Sequence, residues 1–164
     1  MRKIMLFALM AVFAAGLTFE LSAQRSGFNG KWKYDPAKSV VPEYTPVLTS
    51  IEVTVKGDSL LTQRFYDTGE GQIYPFVENL TLDGKEYKIT IYDMPRKSKA
   101  SWSDAEGAII VESVTTASDY SGPQDFISKE TWKADAQNKT LVISFKNTMA
   151  GNAAEGVFHL VRVE

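Results

Sequence analysis

The sequence predicts an all-β domain, an up-and-down antiparallel β-barrel of eight to ten strands. Three observations carry this. After Gln24 the chain reads as short segments rich in β-branched and aromatic residues, separated by Gly, Asp, Asn and Ser. No window holds the apolar period of about 3.6 residues that a helix needs. Nearly every connection is short, so successive strands pair as a meander, and such a meander removes its exposed edges by closing on itself.

The start of the chain has a different character. Arg2 and Lys3 precede an apolar run from Ile4 to Leu17, and Leu21-Ser22-Ala23 supplies a small residue for cleavage. This is the pattern of a secretory signal cleaved near Ala23, which makes the protein secreted or periplasmic. The run is shorter than the roughly 18 to 20 residues that span a bilayer, so no transmembrane segment is expected in the mature chain. Removing residues 1–23 from the 164 leaves 141, one domain at 24–164 able to bury a core of its own. With no cysteine, that core has no disulfide to help it. The mature charge is near minus three, which argues against nucleic acid as a partner, since binding phosphates needs a basic face.

Strands are expected at 28–34, 48–56, 60–67, 73–82, 85–92, 96–103, 108–117, 126–134, 139–147 and 156–163. The turns predict their register. Asp83-Gly84 carries the chemistry of a type I′ hairpin, which would set Leu80 opposite Tyr87, Glu78 opposite Ile89 and Phe76 opposite Ile91. A four-residue loop at 104–107 sets Trp102 against Ile109 and Ala100 against Val111, and one at 135–138 sets Trp132 against Leu141 and Glu130 against Ile143. A three-residue turn at 57–59 sets Val53 and Val55 against Gln63 and Leu61. Each loop brings two apolar strand faces together, as a half-buried sheet requires. The long connection from Tyr34 to Leu48 carries Pro36, Pro42 and Pro46 and reads as extended coil wrapped over one end of the barrel.

Gly30-x-Trp32 on the first strand and Arg162 in Phe158-His159-Leu160-Val161-Arg162 on the last resemble the lipocalin and calycin pattern. That resemblance implies that Gly30, Trp32 and Arg162 close one end of the barrel, with the guanidinium packed across the indole. Trp32-Lys33-Tyr34-Asp35-Pro36-Ala37-Lys38-Ser39, Leu82-Asp83-Gly84-Lys85-Glu86, Lys99-Ala100-Ser101-Trp102 and Glu130-Thr131-Trp132-Lys133 are similar to small secreted bacterial lipocalin-like domains of uncharacterised function. Fatty-acid-binding proteins also open with Gly-x-Trp, but carry a helical lid where this chain is proline-rich.

No catalytic constellation is evident. His159 is the only histidine, no nucleophile motif accompanies it, and the carboxylates show neither calcium-loop nor phosphate-loop spacing, so no cofactor or metal is expected. Alternation instead places Gln63, Glu78, Arg96, Ser98 and Glu130 on the same face as Phe65, Phe76, Tyr87, Trp102 and Trp132. Polar groups inside a barrel must be paired or in contact with water or ligand. Gln63, Phe65, Phe76, Glu78, Tyr87, Arg96, Trp102 and Glu130 are therefore the candidate ligand-binding residues, with Arg96 and a carboxylate orienting a polar head. Lys97 and Lys99 alternate away from Arg96, so that basic run does not converge. The function expected is non-catalytic binding of a small hydrophobic or amphipathic molecule in the cavity. The alternative is an envelope interaction module with a filled barrel, recognising a protein or polysaccharide through its loops or outer surface.

Overall fold

The computed structural model describes residues 24–43, 45–119 and 122–163; the expected signal at 1–23 lies outside the described residues. Ten strands follow one another: β1 Gly30–Tyr34, β2 Val47–Lys56, β3 Ser59–Asp67, β4 Ile73–Thr81, β5 Asp83–Ile91, β6 Met94–Ser103, β7 Ala108–Asp119, β8 Gly122–Asp135, β9 Thr140–Met149 and β10 Asn152–Val163. They form one antiparallel sheet in the order β4-β3-β2-β1-β10-β9-β8-β7-β6-β5. First and last strands pair through Trp32 opposite Arg162 and Tyr34 opposite Leu160, so the sheet curls round with β4 and β5 as its two ends. The result is an all-β, up-and-down, nearly closed barrel, as the turn spacing predicts.

Where the sequence predicts a hairpin at Asp83-Gly84, the structure has a seam. β4 pairs only with β3, and β5 only with β6. Buried Leu82 gives its N–H to Asp58 O at 2.8 Å and accepts Trp102 N–H at 3.1 Å. Those bonds draw the chain onto the neighbouring turn and strand, away from a two-residue reversal. Gly84 takes a positive φ but Asp83 does not, so the I′ geometry, which needs both, cannot form. The expected pairs Leu80–Tyr87, Glu78–Ile89 and Phe76–Ile91 are therefore absent. Side chains span the seam in their place: Tyr92 Oη donates to Pro75 O at 2.6 Å, and Thr81 Oγ1 and Tyr87 Oη share a bond of 2.9 Å.

The other turns show how loop length governs register. Trp102 faces Ile109 and Ala100 faces Val111, as expected. In the β8–β9 hairpin the strands run to Asp135 opposite Thr140, so Trp132 meets Ile143 and Glu130 meets Phe145. The Asp135 carboxylate accepts the N–H groups of Gln137 and Asn138, which moves the reversal along the chain. This shift is even, so every side chain keeps its face.

The β2–β3 turn is different. Lys56 pairs with Ser59 across the two residues Gly57 and Asp58, with Gly57 at φ 60°. Val53 thus faces Thr62 and Val55 faces Leu60. A one-residue slip exchanges the faces of the whole strand. Leu60, Thr62 and Arg64 point inward, and Gln63 and Phe65 are on the outer face with exposed Leu61.

The connection from Asp35 to Pro46 is extended and turned, with no helix among its described residues. It docks on β10 where β1 has ended: Val40 exchanges backbone hydrogen bonds of 2.9 and 2.7 Å with Val157. Gly156 makes this docking fit. A Cβ there would lie 2.6 Å from Val40 O and 2.5 Å from Phe145 Cζ. Gly156→Ala is expected to cost about 1–3 kcal/mol, the usual penalty of overpacking against atoms that cannot move aside. Thermal denaturation checks this; an unchanged midpoint would show that the connection is free to shift.

Burial is graded along the barrel. At the end where β2–β3, β6–β7 and β8–β9 turn, Trp32, Leu60, Ile109, Trp132, Leu141 and Leu160 are completely inaccessible. Along the inner face of β9 exposure rises from 0% at Leu141 through 1% at Ile143 and 5% at Phe145, Asn147 is half-buried, and Met149 at the far end reaches 37%. One end is a packed core and the other is open.

Candidate functional site

A charged layer crosses the interior just above the packed end. Arg64 on β3 reaches across the lumen to Glu130 on β8, its Nη1 donating to Oε1 at 2.8 Å and Oε2 at 3.0 Å. Glu130 Oε2 also accepts Trp132 Nε1–H at 2.7 Å. Glu78 on β4 accepts Arg96 Nε–H at 2.9 Å, Nη2–H at 3.3 Å and the Ser98 hydroxyl at 2.6 Å, while Arg96 Nη1 donates to Thr115 Oγ1 at 3.0 Å. Arg64 Nη2 lies 3.6 Å from Glu78 Oε2, close enough for an ion pair and too far for a hydrogen bond. Two arginines and two glutamates, all at most 9% exposed, thus form one connected layer. Glu78 also ties β4 to β6 across the seam.

Aromatic faces complete it. The Arg64 guanidinium stands 4.9 Å from the Trp132 ring centroid and 5.5 Å from that of Phe76, and the Arg96 guanidinium also stands 5.5 Å from the Phe76 centroid. Tyr66 stacks on Phe76 at 5.8 Å. Burial opposes the Arg64 charge, but Glu130, Tyr66 and Glu78 outweigh it and hold the group above its ordinary range. Burial raises the Tyr66 phenol despite the neighbouring arginine.

Burial also opposes the Glu78 charge, yet Arg64, Arg96 and Ser98 more than offset it and hold its carboxyl below the ordinary value of 4.5. The unfolded chain therefore binds a proton at higher pH than the folded chain does. The stabilisation is fully present above the unfolded value and is lost as pH falls through the folded one. Urea midpoints should decline on acidification below about pH 4.5, and Glu78→Gln should remove part of that slope. An identical slope in the variant would assign the acid response to other carboxylates.

Not every candidate residue joins this layer. Phe76, Glu78, Arg96 and Glu130 converge there, and Tyr87 stands opposite Ser98 beside it. Gln63 and Phe65 are on the outer face, through the short β2–β3 turn. Trp102 lies at the packed end, edge-on to Phe28 at 6.0 Å, with Arg25 5.3 Å above its ring. Trp32 is there too, its Nε1–H on Phe28 O at 2.9 Å and the Arg162 guanidinium 4.6 Å from its ring centroid. Gly30 holds a φ of 135°, a conformation that side chains rarely adopt, and a Cβ there would make only ordinary contact with Arg162 Nε at 3.6 Å.

The sequence does not single out Arg64, Thr62 or Tyr66. Leu61-Gln63-Phe65 and Leu60-Thr62-Arg64-Tyr66 are comparably amphipathic, so the strand pattern alone does not choose between them. Gly57-Asp58, read as a two-residue turn, does choose between them.

Among the described residues no cluster of His, Asp or Glu is placed to hold a metal ion, and no helix is long and apolar enough to cross a membrane. Outside the barrel, β5 to β8 carry an open groove of about 900 Å³ lined by Lys88, Lys97, Lys99, Glu112, Ile127 and Lys129, among others.

No protein-family model matches the chain, and no curated protein does. It is similar to a solved structure of zebrafish ileal bile acid-binding protein complexed with cholic acid. The two share 15% identity over 84% of this chain and 100% of that one, with a TM-score of 0.49. The chemistry of the site rests on this chain's own residues.

Proposed function

We propose that this chain is a non-catalytic binding protein that holds a small amphipathic molecule in the open half of its barrel. Phe76 and Tyr87 would contact its apolar part, and the layer of Glu78, Arg96, Glu130 and Arg64 would face its polar end. One observation carries this reading. Buried polar atoms remain without a protein hydrogen-bond partner: Thr62 Oγ1, Arg64 Nε and Nη2, and Asn147 Oδ1. Such atoms are costly unless water or a ligand satisfies them, and they lie on the inner face. Residues 1–23 are proposed as the signal that delivers the protein outside the cytoplasm, which sequencing the mature N-terminus would test.

Burying roughly 350 Å² of apolar ligand surface contributes about 9 kcal/mol before association costs, which corresponds to low-micromolar binding or weaker. Titration with the neutral probe N-phenyl-1-naphthylamine should be saturable, and Ala117→Trp, which fills the open half, should weaken it at unchanged stability. A folded chain without saturable binding would overturn the reading.

The outer groove favours a second reading as an interaction module. Lys88 stands directly opposite Lys97, and Ile127 beside them is 49% exposed. Capture of an envelope protein or polysaccharide lost in a Lys88→Gln, Lys97→Gln variant would support it.

A further inference from the structure

Resting on the cavity reading, we infer that the barrel selects ligands whose polar head is uncharged and hydrogen-bonding, a hydroxyl or amide, over their carboxylate counterparts. The charged layer is already balanced, two guanidiniums against two carboxylates. Arg96 uses Nε and Nη2 on Glu78 and Nη1 on Thr115. Arg64 commits Nη1 to Glu130 and Tyr66, and its remaining nitrogens are flanked by Glu78 and by the rings of Phe76 and Trp132. A carboxylate entering here would be a fifth charge beside Glu78 and Glu130 and would leave the layer with one negative charge in excess. Burying an unpaired charge is far more costly than burying a hydroxyl that finds a partner.

The wall beside the layer offers such partners. Ser98, Ser113, Ser128 and Asn147 stand opposite one another in register across β6, β7, β8 and β9, all facing inward. Ser98 is bonded to Glu78. The hydroxyls of Ser113 and Ser128, 5% and 6% exposed, stand in the same row as Asn147, whose buried Oδ1 has no hydrogen-bond partner. Thr62, 1% exposed, adds a hydroxyl oxygen equally without a partner. Neighbouring strands are about 4.8 Å apart, so Ser113, Ser128 and Asn147 span about 10 Å, enough for a head with more than one hydroxyl. Each hydroxyl both donates and accepts, and the amide oxygen accepts; this set complements an alcohol or amide and supplies no positive charge.

The test uses ligands with one tail and two heads: 1-monododecanoylglycerol and dodecanoate, each below its aggregation concentration, displacing N-phenyl-1-naphthylamine at pH 7.5. The glyceride should displace the probe at a concentration at least tenfold lower than dodecanoate. Ser113→Ala with Ser128→Ala should weaken the glyceride at least fivefold and leave the probe's own affinity unchanged. Glu130→Gln, which leaves the layer one positive charge in excess, should raise dodecanoate affinity; if that variant does not fold, the serine variant still decides. Equal or tighter binding of dodecanoate to the native chain, or a serine variant with unchanged glyceride affinity, overturns the head-group inference and leaves the cavity reading standing. Absence of saturable probe binding overturns both.

Discussion

Replacing Arg64 by methionine will destabilise the protein by about 3–5 kcal/mol, the cost of leaving a buried charge without its partner. Arg64 is 1% exposed and is the only residue of the charged layer that crosses the lumen from β3 to β8, where it meets both oxygens of Glu130. Without it, Glu130 keeps only the Trp132 indole N–H, a neutral donor, and Glu78 keeps only Arg96 and Ser98. Methionine fills similar volume, so the loss reports charge rather than a cavity. The double variant Arg64→Met, Glu130→Gln should recover most of the loss, because neither charge is then stranded. Urea denaturation of the two single variants and the double gives the coupling directly. A single variant within about 1 kcal/mol of the native chain would show that Glu130 finds water or a proton in the folded state. The exposed pair Lys99–Glu112, at 2.8 Å, provides the contrast: Lys99→Gln should leave the urea midpoint almost unchanged, since solvent screens the pair.

The same residue shows where the sequence stops being legible. Meander order and the two hairpins nearest the core follow from turn chemistry and alternation, both of which are local, while the strand count is bounded only to eight to ten. Trp102 against Ile109 is correct because a four-residue loop leaves little freedom. Trp132 is displaced by two residues because Asp135 caps the backbone of its own loop, yet an even displacement keeps Trp132 and Glu130 inside. At Gly57-Asp58 the error is odd, and it turns Arg64 out and Gln63 in. Glu78, Arg96 and Glu130 could be placed inside the barrel from alternation alone, but their bonding could not. The Glu78–Arg96 bond crosses a seam that exists because Leu82 is held by Asp58 and Trp102, residues far from it in sequence. Long-range competition for backbone groups is the kind of information that strand alternation does not contain.

Trp32→Ala tests the opposite end of the barrel and should also cost about 3–5 kcal/mol, as for other large buried aromatics. The indole is completely inaccessible, and its N–H is bonded to Phe28 O. The guanidinium of Arg162, opposite it in the β1–β10 ladder, covers the ring and donates from Nη2 to Gly27 O at 2.8 Å, which fastens the segment just before β1 over the packed end. Arg162→Ala alone should cost about 0.5–2 kcal/mol, the range for a cation lost from an aromatic face. Because burial falls toward the other end, the folded fraction of Trp32→Ala should bind the naphthylamine probe within a few-fold of the native affinity. Arg64→Met should instead alter both stability and binding. If Trp32→Ala keeps its stability and loses the probe, the ligand enters at the end assigned here as closed, and the charged layer then serves only to hold the seam between β4 and β5.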